Sequence, residues 1–362
     1  MASLAQTINK INYKSPILET KVNAIESNRP TLSREELEAV LQCLIDDQIG
    51  SGRVVERLEK ALAEATGFKK SIAVDSLTAA FHLSFLALNS NPTTTVWLST
   101  LSSVSALDAA RYTGASVRLL DVSRDSFHVS TDVIIAEANQ NDIFILDHTF
   151  GSVFPESIHS IREKGLHIIE DITGMIGSTQ ANGELFGQLG DITVCGLAED
   201  DLITTGNGGF ICTNNKPYFK HIAELRYGKD RDLHSVGYDY RLEDFQAAIG
   251  LHQVSRLGQM LSRRKKIGLK YIESLRSTKH QTYFRTPLSD TYHKMPILIS
   301  RPQDEVFRFF KSLHIGVEKI ATPLHHYLAV PSMEYPNSER IFRRSVCVPV
   351  YPALTANNVE RV

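Results

Sequence analysis

The chain has 362 residues, of which 42% are hydrophobic and 22% charged, and its net charge is -2. That length is ample for a large core and predicts one large domain with a smaller one beside it. The near-neutral balance gives no global attraction to nucleic acid or to an anionic membrane surface, and no apolar run is long enough to span a bilayer.

No charged-then-apolar leader opens the chain, so a cytoplasmic protein is expected. Cys43, Cys195, Cys212 and Cys347 lack metal-ligand spacing and sit mostly in apolar runs, which predicts buried free thiols in a reducing compartment. Residues 1–28 read as a weakly structured lead-in. Ser33 with Glu36 has capping-box spacing and predicts a helix with Leu37, Val40, Leu41 and Leu44 on one face. Gly50-Ser51-Gly52 breaks the chain before a second amphipathic helix, Val54 to Ala65, with Val55, Leu58 and Leu62 turned inward.

Ser71–Asp75 reads as a short buried strand, followed by Ser76-Leu77-Thr78 and a helix beginning near Ala79. A strand, a short turn and a helix N-terminus make a natural phosphate cradle, because free amides and the helix dipole both favour an anion. An ordinary strand-to-helix cap accounts for the same residues. The alternation then continues with strand Val96–Ser99, helix Ala106–Tyr112, strand Val117–Val122, helix Asp132–Ala138, strand Ile143–Leu146, helix Glu156–Lys164 and strand Leu166–Glu170. This order predicts an α/β protein whose sheet is mostly parallel and covered on both faces. Asp171 follows the last of these strands, where open α/β sheets hold their ligands, although a carboxylate there also suits a helix cap.

Gly190-Asp191-Ile192 opens a further strand, the acidic turn Glu199-Asp200-Asp201 follows, and Thr204-Thr205-Gly206-Asn207-Gly208-Gly209 leads into strand Phe210–Thr213. Gly237–Gly250 contains the start of a helix in which Phe245, Ala248, Ile249 and Val254 are expected as core. The basic run Ser262–Lys266 reads as a solvated helix face. From about residue 276 a smaller α+β part is expected, and the adjacent His325-His326 reads as a surface or interface pair, lacking metal spacing.

Two blocks carry a resemblance. Gly190-Asp191-Ile192 with Thr204–Gly209, and Gly237–Gly250 with its Arg241 and Gln246-Ala247-Ala248-Ile249-Gly250, resemble the DegT/DnrJ/EryC1/StrS sugar aminotransferases, which use pyridoxal phosphate. The likeness runs from about residue 29 onward. It implies the fold-type-I PLP-transferase architecture, aspartate aminotransferase-like, with a lead-in at 1–28, a large domain at 29–255 and a small C-terminal α+β domain at 256–362. It also implies a site. Asp201 occupies the position of the family's lysine, Ser76, Leu77 and Thr78 that of its phosphate-holding Ser-Gly-Thr, and Asp171 that of the partner of the pyridine nitrogen. Asp239 matches an asparagine that reaches the phosphate from the neighbouring subunit. The stacking aromatic is replaced by Leu101 or Ser103, and the Gln or His near Gly174 is missing.

A carboxylate cannot form a Schiff base, so the resemblance implies pyridoxal or pyridoxamine 5'-phosphate held non-covalently at most. Its implied partners are a nucleotide sugar and a second subunit, identical or paralogous, with no nucleic acid or membrane. Three readings stay open: a member that binds a nucleotide sugar or a partner without transaminating, a sugar-dehydratase-like enzyme with Asp201 as base, and an aminotransferase drawing a lysine from elsewhere, Lys216 or Lys229.

Overall fold

The computed structural model describes residues 24–227, 234 and 236–362. Helices α1 (Arg34–Ile45) and α2 (Arg53–Thr66) lead into β1 (Ser71–Val74), followed by α3 (Leu77–Ala87), β2 (Thr95–Ser99), α4 (Val104–Tyr112) and β3 (Ser116–Leu120). Next come α5 (Asp132–Glu137), β4 (Ile143–Asp147), α6 (His159–Glu163), β5 (His167–Asp171), β6 (Ile192–Gly196), β7 (Gly209–Cys212) and α7 (Lys216–Leu225). The 32-residue α8 (Asp244–Leu275) precedes β8 (Met295–Leu298), α9 (Gln303–Ser312), α10 (Leu324–Tyr327), α11 (Pro336–Arg344), β9 (Ser345–Val348) and α12 (Ala356–Arg361).

The seven large-domain strands form one sheet in the order β1-β7-β6-β5-β4-β2-β3, in which only β7 runs antiparallel to its neighbours. The expected mostly parallel α/β sheet is therefore present. Its strands are short apolar runs buried on both faces, as crossover helices require. Phe81, Phe85 and Leu107 of α3 and α4 pack with Ile222 of α7 on one face, and Leu58 and Leu62 of α2 pack with Ala247 and Leu257 of α8 on the other. β8 and β9 pair antiparallel and join a third cluster with Ile267 and Tyr271 from the far half of α8. The boundary expected at 255/256 thus falls inside one helix that packs against both parts. Residues 1–23 of the expected lead-in lie outside the described residues, and Ile25 bridges Ile315. Among the described residues no helix is long and apolar enough to cross a membrane.

Several local expectations shift for identifiable reasons. Ser33 and Glu36 do form the capping box, but the inward face of α1 is not the apolar one: Glu36 and Cys43 are buried, while Leu37 is 54% and Leu44 52% exposed. Glu36 is drawn inward by Gln253 Nε2 at 2.8 Å and by the Arg256 guanidinium, and these contacts set the helix's rotation. Phe245, expected in the core, is 38% exposed. The helix expected from Glu156 begins only at His159, because the Glu156 carboxylate accepts the backbone N–H and hydroxyl of Thr131 at 2.7 and 2.6 Å. All four cysteines are buried free thiols.

Glu170, fully buried in β5, organises the connection from β5 to β6. Its carboxylate accepts the backbone N–H groups of Gly187, Leu189 and Gly190 at 2.9, 2.7 and 3.0 Å and contacts His148 Nε2 at 3.1 Å. Removing it strands one buried and two partly buried backbone donors and a buried imidazole. Glu170→Ala is expected to lower the unfolding free energy by roughly 3–5 kcal/mol, read by urea denaturation. A loss below about 1 kcal/mol would show that the turn does not depend on it.

Candidate active site

At the carboxyl ends of β4, β5 and β6 lies a cavity of about 490 Å³, lined among others by Ser76, Thr78, Asp147, Asp171, Asp201 and Lys294. This is where the topology of an open α/β sheet places a ligand. The start of α3 forms one wall. Ser76 is its N-cap, with Oγ accepting from Ala79 N at 3.1 Å and donating to Asp75 Oδ1 at 3.0 Å. The helix therefore begins at Leu77, two residues before the expected Ala79. Leu77 takes an ordinary negative φ, so the conformational freedom of glycine is not needed there. Among the described residues, the backbone N–H groups of Leu77 and Thr78 make no protein hydrogen bond, as at an open helix N-terminus.

Four carboxylates line the cavity: Asp147, Asp171, Asp200 and Asp201. Asp147 ends β4 and is the register partner of Asp171 at the end of β5. Burial raises the Asp147 pKa against hydrogen bonds from the Ser102 and Thr149 hydroxyls. Asp171 accepts the N–H and hydroxyl of Thr173 on Oδ1 at 2.8 and 2.5 Å, and burial pushes it up to about 6. Its Oδ2 makes no protein hydrogen bond among the described residues. Asp201, in the turn between β6 and β7, accepts Ala198 N on Oδ2 at 2.7 Å. Burial, reinforced by Asp200 and Asp171, pushes Asp201 from 3.8 up to about 7.

A layer of cations stands behind these acids. Lys294 Nζ lies 2.6 Å from Asp200 Oδ2 and, against burial, holds that carboxyl below its ordinary value. His293 Nε2 meets Asp200 O at 3.1 Å and Asp201 Oδ1 at 3.6 Å. Burial and the charges of Lys294 and Arg264 push His293 down to about 3, so its ring is neutral, donates to the Asp200 carbonyl and forms no ion pair with Asp201. Arg264 of α8 is 4% exposed, and its Nη1 donates to His293 O at 3.0 Å. Even pushed down to about 10 by burial, it stays protonated at neutral pH. Gly268, one turn on, lets α8 reach this segment: a Cβ there would meet the Tyr292 ring at 2.4 Å.

The expected site residues separate into two groups. Ser76, Leu77, Thr78, Asp171 and Asp201 converge on the cavity, as do Leu101, Ser103 and Gly174. Asp239 does not line it: the residue is exposed and bound to Arg241 through two contacts of 2.7 and 3.1 Å. Glu199 is exposed and also lies off the cavity lining, so the acidic turn contributes two site carboxylates rather than three. Lys216 is exposed at the start of α7, and Lys229 lies outside the described residues. The lysine at the cavity is Lys294, which no spacing signalled. Arg264 corrects the expected solvated basic face, and its signal was present: Met260, Arg264, Ile267 and Tyr271 follow helical spacing on the buried side. Phe150 and Tyr327 supply aromatic wall where Leu101 and Ser103 cannot.

These residues fit pyridoxal or pyridoxamine phosphate at two ends. The open Oδ2 of Asp171 suits a protonated ring nitrogen, and the free amides of Leu77 and Thr78 suit a phosphate. Position 201 offers no amine.

The buried acid also leaves a signature in stability. Because Asp201 titrates near 7 folded and near 3.9 unfolded, the folded chain holds an extra proton between those values and loses that advantage as pH rises through 7. Asp201→Asn keeps the acceptor for Ala198 N but cannot ionise. It should stabilise the protein by roughly 1–3 kcal/mol at about pH 8, with the gain shrinking toward about pH 5. A gain independent of pH in chemical denaturation would contradict the placement of this charge.

The family model described as the DegT/DnrJ/EryC1/StrS aminotransferase family matches residues 30–362. GDP-perosamine synthase of Caulobacter vibrioides is 27% identical over 353 residues, covering 92% of this chain and 95% of that protein. GDP-perosamine synthase of Escherichia coli O157:H7 is 25% identical over 345 residues, covering 91% and 94%. The PLP form of the sugar aminotransferase Spr1654 from Streptococcus pneumoniae superposes with a TM-score of 0.84 at 18% identity, covering 93% of this chain and 96% of that one. With sheet order, cavity and match in agreement, this chain belongs to the DegT/DnrJ/EryC1/StrS aminotransferase family.

Proposed function

We propose that this chain binds a nucleotide sugar, in nucleotide-sugar or polysaccharide biosynthesis, and holds pyridoxal or pyridoxamine phosphate without a covalent lysine link, so that it does not transaminate by itself. The observation that carries the reading is Asp201. Its carboxylate lines the cavity beside Asp171, in the turn between β6 and β7 that corresponds to the family's lysine turn. Transamination needs an amine there to bind the cofactor and shuttle a proton. Lys294, the lysine lining the cavity, is held by Asp200 and raised above its ordinary pKa by that pair, against burial, which keeps it protonated and non-nucleophilic. The relatives named GDP-perosamine synthase support a nucleotide sugar as ligand.

In this reading Asp171 orients the cofactor ring, and the Leu77 and Thr78 amides with the Thr78 hydroxyl take the phosphate. When bound, the cofactor supplies an electron sink. A second reading is favoured by one observation. Asp201, pushed up to about 7, holds or accepts a proton near neutral pH, the range a general acid-base needs. A dehydratase-like reaction on a keto sugar would use that proton transfer without a lysine.

One preparation distinguishes these readings. After incubation with pyridoxal phosphate and borohydride reduction, peptide mapping should find no stoichiometric lysine adduct, and a single adduct on Lys294 would overturn the proposal. With pyridoxamine phosphate and a 4-keto sugar nucleotide, neither wild type nor Asp201→Asn is expected to turn over. Dehydration by wild type that disappears in Asp201→Asn would establish the second reading instead.

The proposed assembly is a dimer, with an identical or a paralogous subunit. Leu37, Leu44 and Ile45 expose an apolar stripe on α1, flanked by Leu32 and Ile49, each more than half exposed. Asp239 is exposed and its partner Arg241 half-buried, so the pair stands where a neighbour's cavity could meet it. Leu37→Glu with Leu44→Glu should shift sedimentation from dimer to monomer at about 10 μM. An unchanged sedimentation coefficient would place the interface elsewhere.

A further inference from the structure

Away from the cavity, α10 and α11 bring together three side chains that the proposed function does not use. His325 is 0% exposed, which corrects the expected surface or interface pair for that residue, while His326 is at the surface as expected. Their Nε2 atoms lie 3.2 and 2.8 Å from the same oxygen, Oε2 of Glu339. All three donor atoms fall within 4.8 Å of one another. We propose that His325, His326 and Glu339 form a divalent-cation site of the zinc(II) class.

The geometry matches a metal vertex as well as a pair of hydrogen bonds. Zinc bonds imidazole nitrogen and carboxylate oxygen at about 2.0–2.2 Å, so the edges of its coordination tetrahedron are about 3.3 Å. The two nitrogen–oxygen edges lie at or below that length, and all three donor atoms fall within 4.8 Å of one another. Two imidazoles and one carboxylate also match the donor preference of zinc. Both Nε2 atoms already converge on one carboxylate oxygen, so an ion would replace their shared contact without moving either ring far.

The three ligands are held in place before any ion arrives. His325 stacks on Tyr335 at 5.0 Å, and His326 meets the Phe342 ring edge-on at 5.5 Å. The other Glu339 oxygen is taken by Arg343 Nε, an outer contact that orients the carboxylate. Backbone anchors fix both helices: Leu324 N donates to Thr100 O at 2.7 Å, and Asn337 N and Ser338 N donate to the Asp121 carboxylate at 2.9 and 2.8 Å. The partly exposed His326 leaves a fourth position open to water. Because the orphaned His325 Nδ1 lacks the acceptor that a ligating imidazole ordinarily uses, and Arg343 competes for the carboxylate, binding is of micromolar rather than nanomolar class. The ion would clamp α10 to α11. Since Tyr327 at the end of α10 and Thr322 just before it line the active-site cavity, occupancy would also stiffen that wall.

The test is calorimetric titration of zinc chloride into the tag-free, chelator-stripped full-length protein. Wild type is expected to take up one zinc per chain with a Kd of about 1–100 μM, and His326→Ala to bind at least about tenfold more weakly. His326 is partly exposed, so that variant should keep its fold, checked by circular dichroism. Glu339→Gln should reproduce the loss. No uptake by wild type at about 100 μM zinc would overturn the proposal, as would equal uptake by wild type and His326→Ala.

Discussion

Acids cannot be buried in a group without either cations or protons to accompany them. The ends of β4, β5 and β6 concentrate Asp147, Asp171, Asp200 and Asp201 in one region, and the surrounding structure answers that constraint in two ways. Asp200 keeps its charge because Lys294 reaches it, while Asp171 and Asp201 drift toward neutrality, to about 6 and about 7. The segment Thr291–Lys294 that brings Lys294 and His293 into place is itself fixed by Arg264 and by the close approach of α8 at Gly268. The contact between the two parts of the molecule is therefore electrostatic at the site and apolar behind it.

This arrangement changes what the family framework can do. A lysine at position 201 would bring a cation and a nucleophile to the cavity. Asp201 brings a group that carries or gives up a proton at neutral pH and forms no covalent bond to an aldehyde. The cavity is lined by an open helix N-terminus at Ser76–Thr78 and by the Asp171 carboxylate. The helix N-terminus and the strand ends are built from backbone amides and sheet geometry that the fold supplies whatever side chain stands at 201.

Elsewhere, polar pairings decide local geometry more strongly than hydrophobic pattern. Glu36 rotates α1 so that its apolar side faces outward, and Glu156 delays the start of α6. At Glu170 one carboxylate satisfies three backbone donors and fixes a connection that carries little regular structure. In each case a charge-assisted contact of short reach outweighs the burial of one or two leucines or a turn of helix.

The sequence by itself determined the sheet, because strands of this length separated by amphipathic helices leave few arrangements besides a parallel α/β sheet covered on both faces. It also determined the glycine-rich turn, the strand-to-helix turn at Ser76–Thr78, Asp171 at a strand end and Asp201 in the acidic turn, since these are local features with fixed spacing. Tertiary structure alone decided which distant residues face them. Lys294 and Arg264 lie 94 and 64 positions or so from the acids they accompany, by the numbering of the chain, and no periodicity encodes such a meeting. The same holds for His325 and His326 with Glu339, whose separation of 14 and 13 residues spans a connecting loop and the first turn of α11. Pattern reports which face a residue occupies on its own element, while the partner across the gap is set by how whole elements pack.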